Sequence, residues 1–294
     1  MKQNNVGTYI GLILATIFWG ISFVWTKQLL DGGFPMYSLL ISRLLIAGIL
    51  LLVTALFTRT LIKLQRCDFK WFLLLVLCEP FLYFIGETYG IILTESASIS
   101  SIVIATLPIF TMTAGYMVYK EKFTATNIFG VFIALVGVCV SLVDDNMNLT
   151  VRPLGVSMLI LALLSATGYS LVIKKLSDKY NPITLVIVQN FAGGLLFLPF
   201  VFAETVQLAK FQYSFSVLYP LFLLAIFPSS LAFLYFIKAV KRIGVAKSSM
   251  FCTLIPIITL LFAAMIGQES LHQRNIIGVV IVVFGLIMSQ RKKL

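Results

Sequence analysis

Long apolar runs, each bounded by polar or charged residues, dominate the sequence. A helix needs about 20 predominantly apolar residues to cross a bilayer, and ten such runs recur along the 294 residues. They cover residues 7–29, 36–57, 70–93, 97–119, 124–143, 153–175, 182–202, 216–237, 245–267 and 273–290. The chain is 60% hydrophobic and only 11% charged, well outside the range of water-soluble domains. The sequence therefore predicts an all-α integral membrane protein with ten transmembrane helices.

Two other interpretations of these runs are less favourable. The strands of an outer-membrane β-barrel alternate apolar and polar residues, whereas the runs here are continuous. The first run follows Lys2 as in a signal peptide, but it is too long and lacks a small-residue cleavage site. The connections are short, the longest being about a dozen residues after Leu56 and after Phe202. We therefore expect any chemistry to take place inside the bilayer or at its surfaces.

Lysine and arginine are distributed unevenly when ten helices are threaded alternately through the membrane. The side that carries both termini holds seventeen of the 22 cations, the other side holds four, and Arg43 lies within a run. Because cytoplasmic loops carry the excess of Lys and Arg, both termini are predicted to be cytoplasmic in the inner (cell) membrane. The net charge of +11 reflects this orientation. No basic face is interleaved with exposed aromatic residues, so no nucleic-acid partner is expected.

The four cysteines and the single histidine do not form a metal-binding pattern. Cys67, Cys78, Cys139 and Cys252 are scattered with no CxxC spacing, and His272 has no acidic or thiol neighbour in the sequence. We expect the cysteines to serve in packing. The sequence predicts neither a metal nor a cofactor.

The sequence matches itself at an offset of 148 residues. Fourteen of the 42 positions from 100 to 141 are identical to those from 248 to 289, against roughly a tenth expected from composition alone. The same offset pairs Pro80 with Pro228. The chain is therefore predicted to be a duplication.

The duplication predicts two five-helix units, residues 1–148 and 149–294. Because five is odd, the second unit enters the membrane from the face opposite to the first, and the repeats are inverted. Their equivalent residues then lie at opposite surfaces, as expected for Glu121 and Glu269. An inverted pair of bundles can exchange conformations between inward-open and outward-open states, which is the geometry of alternating access.

Three motifs resemble those of the EamA family of the drug/metabolite transporter superfamily. They are FWGISFVWTK in the first run, FPMYSLLISRLLIAGILL in the second, and ETYGIILTESASISSIVIATLPIFTMTAGYMVYKEKFTATNIFGVFIALVGVCV across the third to fifth. The resemblance covers essentially the whole chain. It implies a ten-helix basket around a central cavity lined mainly by helices 1, 3, 4, 6, 8 and 9, with helices 5 and 10 at the periphery. It also implies export of amino acids, other metabolites or drugs.

Four prolines fall in the middle of runs, at matched positions of the two repeats: Pro80, Pro108, Pro228 and Pro256. Proline removes one backbone donor and frees a carbonyl one turn earlier. In lipid, the freed carbonyl must find a partner in protein, water or ligand. The pattern predicts hinges or ligand-facing dipoles near the bilayer centre, with static kinks filled by packing as the alternative.

Small residues form stripes on several helices. Gly130 and Gly137, and their repeat partners Gly278 and Gly285, are seven residues apart and so share one helix face. Such stripes let helices approach closely. Packing inside the bundle is the favoured interpretation and a contact between two copies is the alternative, so both a monomer and a homodimer are considered.

The segment VLCEPFLYFIGETYG, residues 76–90, places two carboxylates in a predicted membrane helix. Glu79 is expected near the midplane and Glu87 roughly 12 Å further along, broadly on the same side. Arg43 in the second run lies at the depth of Glu87, which predicts an Arg43–Glu87 ion pair because a charge at this depth requires a partner. A purely structural clamp is the alternative role for that pair.

Glu79 has no cationic residue at its predicted depth. A carboxyl group in such a site can take up and release protons, so we expect Glu79 to couple transport to protons. The alternative is a protonated side chain that is hydrogen-bonded to a backbone carbonyl near Pro80.

The two acids break the repeat symmetry, because their partners are Phe227 and Tyr235. Features that differ between the halves are the better candidates for solute selectivity, although each aromatic residue could equally serve in packing. The predicted substrate-binding residues are Trp19, Ser22, Glu79, Tyr83, Glu87, Tyr169, Gln189, Asn190 and Tyr235. This set predicts a cavity for a small amphipathic or cationic solute.

Together these features predict a secondary transporter that exports a small metabolite, amino acid or drug by proton antiport, with a small-molecule substrate, protons and the lipid bilayer as partners. The sequence contains no Walker motif, so ATP is not expected to be the direct energy source. A proton-independent exchanger or facilitator is the close alternative. An intramembrane enzyme would need a convergent set of catalytic groups, and a sensor would have to signal through helix contacts alone. We therefore expect a non-enzymatic function.

Overall fold

The computed structural model describes residues 6–119, 124–142, 151–270 and 272–289. All regular secondary structure within these ranges is helical, and they contain no β-strand. Glu121 and several cations used in the orientation argument, namely Lys2, Lys120, Lys122, Arg291, Lys292 and Lys293, lie outside the described residues.

Fifteen α-helices follow one another along the described chain. They are α1 (Val6–Asp31), α2 (Met36–Thr58), α3 (Phe69–Val76), α4 (Tyr83–Thr94), α5 (Ala97–Ile104), α6 (Leu107–Tyr119), α7 (Ala125–Leu142), α8 (Pro153–Leu176), α9 (Pro182–Val201), α10 (Thr205–Lys210), α11 (Phe215–Ile226), α12 (Phe233–Ile243), α13 (Val245–Ser249), α14 (Ile255–Met265) and α15 (Gln273–Ser289).

Nine helical stretches of the described residues are long and apolar enough to cross a membrane, and they coincide with the first nine apolar runs. The tenth run forms the shorter apolar helix Gln273–Met288. Large apolar side chains such as Phe57, Phe129 and Phe132 are exposed on the outer surface, as expected for helices in contact with lipid tails. The predicted all-α, multi-pass membrane architecture is confirmed.

Each of the four mid-run prolines lies at or just after an interruption of its helix. Wide π-helical turns, Leu77–Leu82 and Phe227–Ala232, contain Pro80 and Pro228. Pro108 follows the break between α5 and α6, and Pro256 follows the 3-10 turn Met250–Leu254. The interruptions agree with the loss of a backbone donor at each proline.

Glycine contacts join α7 to α15 within the chain. A Cβ added to Gly137 would lie 2.9 Å from the carbonyl oxygen of Gly278, and one added to Gly285 would lie 2.7 Å from that of Gly130. Residue 137 therefore faces 278 while 130 faces 285, so the two helices run antiparallel. Their glycine stripe packs inside the bundle, as the favoured interpretation predicted.

Helices α2 and α9 also pack against each other in antiparallel fashion. A Cβ on Gly48 would lie 3.2 Å from the Phe191 ring. Near the other end of the pair, Glu204 follows α9 and accepts hydrogen bonds from the backbone nitrogens of Tyr37 and Ser38 at 2.9 and 2.8 Å. This carboxylate caps the start of α2, where the preceding Pro35 supplies no side-chain cap.

An ionic contact ties the start of α3 to the connection between α8 and α9. The buried Asp68 accepts a hydrogen bond from Lys179 Nζ at 2.8 Å and another from the Tyr180 hydroxyl at 3.0 Å. The Tyr180 hydroxyl in turn accepts a hydrogen bond from the backbone nitrogen of Gln65. These contacts hold the two connections together at one end of the bundle.

Candidate functional site

A cavity lies among the helices. Its walls come from α1, α2, the α3–α4 segment, the α5–α6 region, α8, α12 and the segment that begins α14. The lining residues are Trp19, Ser22, Arg43, Glu79, Tyr83, Phe84, Glu87, Ile104, Leu107, Ala166, Tyr169, Ser170, Phe233, Phe236, Cys252 and Ile255. In the numbering of the ten predicted membrane spans, these elements belong to spans 1, 3, 4, 6, 8 and 9, which the family resemblance implied. Arg43 adds the second span, α2, to them.

Glu79 and Glu87 line the same cavity, as their helical spacing predicted. The wide turn gives Glu79 an extended backbone, with φ −147° and ψ 118°, between two helical stretches. Glu79 is 6% exposed, and its carboxyl group has no hydrogen bond or salt bridge within the part of the chain that the structure describes. Glu87 accepts a hydrogen bond from the Tyr83 hydroxyl, one helical turn earlier, at 3.1 Å.

The predicted Arg43–Glu87 ion pair is not formed in this structure. Both side chains are described and both line the cavity, but no nitrogen–oxygen contact within 4.0 Å joins them. Arg43 Nε instead donates to Ser229 Oγ at 2.9 Å, and its guanidinium lies 4.4 Å from the centre of the Phe84 ring. Equal depth did not specify the direction in which each side chain points around its helix axis.

Aromatic side chains form much of the apolar wall. Trp19 meets Phe233 and Phe236 edge-on, with ring centroids 5.5 and 5.3 Å apart. The ring centroids of Tyr169 and Phe233 are 5.9 Å apart. The Ser22 hydroxyl donates a hydrogen bond to the Trp19 carbonyl at 2.7 Å. The predicted residues Trp19, Ser22, Tyr83 and Tyr169 therefore lie where a solute could contact them.

Three of the predicted substrate-binding residues are not part of the cavity wall. Gln189 and Asn190 are fully buried one layer behind it, where Gln189 accepts a hydrogen bond from the Tyr169 hydroxyl at 3.0 Å and Asn190 donates one to the Ser229 carbonyl at 3.2 Å. The Tyr235 ring packs on Gly11 of α1. Each of the three is engaged by a neighbouring helix, and their direct contact with the solute stays a prediction.

Several wall residues were missed by the sequence reasoning. The repeat offset could have found Ser170, the counterpart of the predicted Ser22. Ile104 and Leu107 also line the cavity together with their counterparts Cys252 and Ile255, but neither member of these two pairs was predicted. No comparable signal marked Phe233 and Phe236. No group of three or more His, Cys, Asp and Glu side chains suited to a metal occurs among the described residues.

The fold and the cavity define a multi-pass helical membrane protein with an internal polar site. A model of the EamA-like transporter family matches residues 7–143 and again residues 153–290. The chain belongs to this family, and its family membership agrees with the resemblance seen in its motifs. The family assignment implies a small-molecule substrate.

Individual relatives agree with the family match. An "Uncharacterized transporter" of Archaeoglobus fulgidus is 24% identical over 289 residues, covering 97% of this chain and 99% of its own. "Uncharacterized transporter YcxC" of Bacillus subtilis is 27% identical over 300 residues, covering 98% and 94%. A protein crystal structure matches the fold with a TM-score of 0.70 at 15% identity, over 97% of this chain and 96% of its own.

Proposed function

We propose that the protein is a secondary transporter that exports a small metabolite, amino acid or drug across the cytoplasmic membrane in exchange for protons. The observation that carries this proposal is the position of Glu79. Its carboxyl group lines an internal cavity at a helix interruption and has no hydrogen-bonding partner among the described residues. A carboxyl group placed in this way can bind either a proton or a cationic part of the solute.

Alternating access between two inverted repeats, residues 1–148 and 149–294, is the proposed mechanism. The antiparallel packing of α7 on α15 and of α2 on α9 supports it, because each of these pairs joins helices at equivalent positions of the two repeats. Three repeat-related pairs of residues line the cavity, which supports a two-fold axis passing through it. The short helix α15 serves as the tenth transmembrane segment in this arrangement.

The wide turns Leu77–Leu82 and Phe227–Ala232 supply the proposed hinges. A break in the regular hydrogen bonding allows the two parts of a helix to move with respect to each other. Pro108 and Pro256 lie beside corresponding breaks near the cavity, so all four prolines are proposed to act as hinges. Rocking of the segments about these breaks would open the cavity to one face at a time.

The distribution of cations supports an orientation with both termini in the cytoplasm, as for an inner-membrane exporter. Among the described residues, Arg59, Lys63, Arg66 and Lys70 cluster in the connection that precedes the third span. Lys27, Arg152 and Lys210 are scattered on the opposite side.

Metabolite release tests the proposed function. Cells with and without the protein are compared for small molecules in the medium, and each compound released in excess is then loaded into proteoliposomes. The proposal predicts that an imposed proton gradient drives the compound out of the vesicles against its own concentration gradient, and that dissipating the proton gradient abolishes this uphill efflux. A compound that moves only down its own gradient, with or without a proton gradient, would instead identify a proton-independent exchanger or facilitator.

A further inference from the structure

Ser229 lies in the wide turn of the α11–α12 segment and accepts two hydrogen bonds from different helices. Arg43 Nε on α2 donates to Ser229 Oγ at 2.9 Å, and Asn190 Nδ2 on α9 donates to the Ser229 carbonyl at 3.2 Å. Ser229 and Asn190 are fully buried, and Arg43 is 2% exposed. Three membrane segments therefore meet at one residue behind the cavity.

The Ser229 carbonyl lies within the wide turn, where the helical hydrogen bonding departs from the regular pattern. In a regular α-helix this carbonyl would accept from the backbone nitrogen of residue 233, four positions later. Here the Phe233 nitrogen donates to the Ser230 carbonyl instead. Asn190 donates to the Ser229 carbonyl that the Phe233 nitrogen does not use, so the buried amide lies against the helix interruption.

The contact with Ser229 orients the guanidinium of Arg43. Arg43 Nη1 is buried without a hydrogen-bonding partner. The guanidinium also lies over the face of the Phe84 ring, which offers no hydrogen-bond acceptor that would fix its direction. The carboxylate that could compete for Arg43 is that of Glu87, which lines the same cavity and accepts from Tyr83. The direction that Arg43 takes therefore decides whether Glu87 has a cationic partner.

This arrangement has no counterpart in the other repeat. At the 148-residue offset, Arg43 corresponds to Phe191 and Ser229 to Phe81, and the side chains of these phenylalanines cannot form the hydrogen bond that joins Arg43 to Ser229. This side-chain contact therefore breaks the repeat symmetry, as the two acids do.

We propose that Ser229 and Asn190 are positioning residues for the transport site. Asn190 fixes the wide turn, and Ser229 holds Arg43 away from Glu87, so that Glu79 and Glu87 stay free of a cationic side chain and available to the solute. The role of the two acids as solute contacts rests on the proposed function. The direction of Arg43 does not depend on it and can be measured without any solute.

Nitrogen NMR of the full chain in lipid nanodiscs, with 15N-labelled arginine, tests this proposal. The Arg43 Nε–H signal is assigned by its disappearance in Arg43→Lys, and its hydrogen exchange with water is measured. Loss of a hydrogen bond exposes a buried group to exchange more often, so Ser229→Ala should speed Arg43 exchange by about tenfold or more. Ser229→Thr retains the hydroxyl and should restore slow exchange.

Ser230→Ala is the matched control. Ser230 lies in the same turn and is also buried, but its hydroxyl donates to the Ala225 carbonyl at 2.8 Å rather than contacting Arg43. Its removal should leave Arg43 exchange unchanged within about twofold. If Ser229→Ala does not fold, Ser229→Cys replaces the hydroxyl by a weaker acceptor of similar size and should show the same acceleration.

Unchanged Arg43 exchange in a folded Ser229→Ala or Ser229→Cys protein would overturn the positioning role, whatever the protein transports. Equal acceleration in Ser230→Ala would also overturn it, because the effect would then reflect general loosening of the turn. If exchange changes as expected but proteoliposomes show no efflux of any compound, the positioning of Arg43 stands and the proposed transport function fails.

Discussion

Gly137 of α7 and Gly278 of α15 lie so close that a Cβ on Gly137 would be 2.9 Å from the Gly278 carbonyl oxygen and 2.7 Å from the Val282 backbone nitrogen. Real Cβ atoms essentially never approach other heavy atoms as closely as either of these distances. Because backbone atoms of a packed helix cannot move aside as the end of a flexible side chain can, the contact depends on the absence of a side chain at residue 137.

Gly137→Ala should therefore destabilise the protein by about 1–3 kcal/mol, the usual cost of inserting a methyl group into a packed interface. Gly7→Ala is the control, because a Cβ there would meet nothing within 4 Å. It should be neutral or slightly stabilising, since alanine favours helix by about 1 kcal/mol over glycine. Unfolding in detergent, followed by tryptophan fluorescence, measures both. Equal stability of the two variants would contradict the close approach of α7 and α15.

Replacing Glu204 tests the cap at the start of α2. Its carboxylate accepts hydrogen bonds from the backbone nitrogens of Tyr37 and Ser38 and from the Ser38 hydroxyl. Glu204→Ala leaves these donors without their acceptor and should cost about 1–2 kcal/mol, the range for loss of an N-cap. Asp178→Ala, at an exposed position, should change stability by no more than about 0.5 kcal/mol. A Glu204→Ala protein as stable as this control would rule out the cap.

The contact of Lys179 with Asp68 makes the stability of the protein depend on pH in a direction that can be derived. The hydrogen bond to Asp68 is the main cause that raises the pKa of Lys179 above its ordinary 10.5. A raised pKa in the folded state means that the contribution to stability is complete below pH 10.5 and is lost as the pH rises through the folded-state pKa.

Lys179→Gln should accordingly lower stability only slightly at pH 8, because the lysine is half exposed and solvent screens the pair. The difference from the unmodified protein should shrink in alkaline buffers. Lys210→Gln, at an exposed position, controls for the loss of one positive charge. A difference that grows at high pH would contradict the assigned contact.

Labelling of cysteines tests the orientation in the membrane. Cys67 is exposed in the connection before α3, which lies in the cytoplasm in the proposed orientation. With Cys78, Cys139 and Cys252 replaced by alanine, a membrane-impermeant maleimide should label Cys67 in inside-out vesicles and not in intact cells. Glu95→Cys, in a chain without the other cysteines, should show the reverse. Labelling of Cys67 in intact cells would invert the proposed topology.

The helices and the location of the acids could be predicted from the sequence because both follow from local properties. Length and apolar composition specify a membrane span, and helical periodicity puts Glu79 and Glu87 on one side. Both acids still face the same cavity although the wide turn at Pro80 interrupts the helix. The glycine stripes were equally local, since seven-residue spacing marks one helix face wherever the partner helix lies.

The partners of buried polar groups could not be predicted in the same way. Arg43 and Glu87 were matched by depth, but a hydrogen bond also requires that both side chains point toward each other, which depends on how α2 packs against the neighbouring helices. Gln189 and Asn190 were recognised as unusual polar residues in an apolar run. They are buried behind the wall because α9 packs on α2 and on the wide turns. The spacing of residues within α9 does not predict this packing.

The most direct test of the account is the exchange of protons through Glu79. Proteoliposomes with a pH-sensitive dye inside receive, from outside, the compound identified by metabolite release, and the lumenal pH is followed. For an antiporter, uptake of the compound should drive protons out and raise the lumenal pH. Glu79→Gln, which cannot exchange a proton, should abolish this rise, whereas Glu95→Gln at an exposed position should retain it. A full lumenal pH rise in Glu79→Gln vesicles would contradict the central claim.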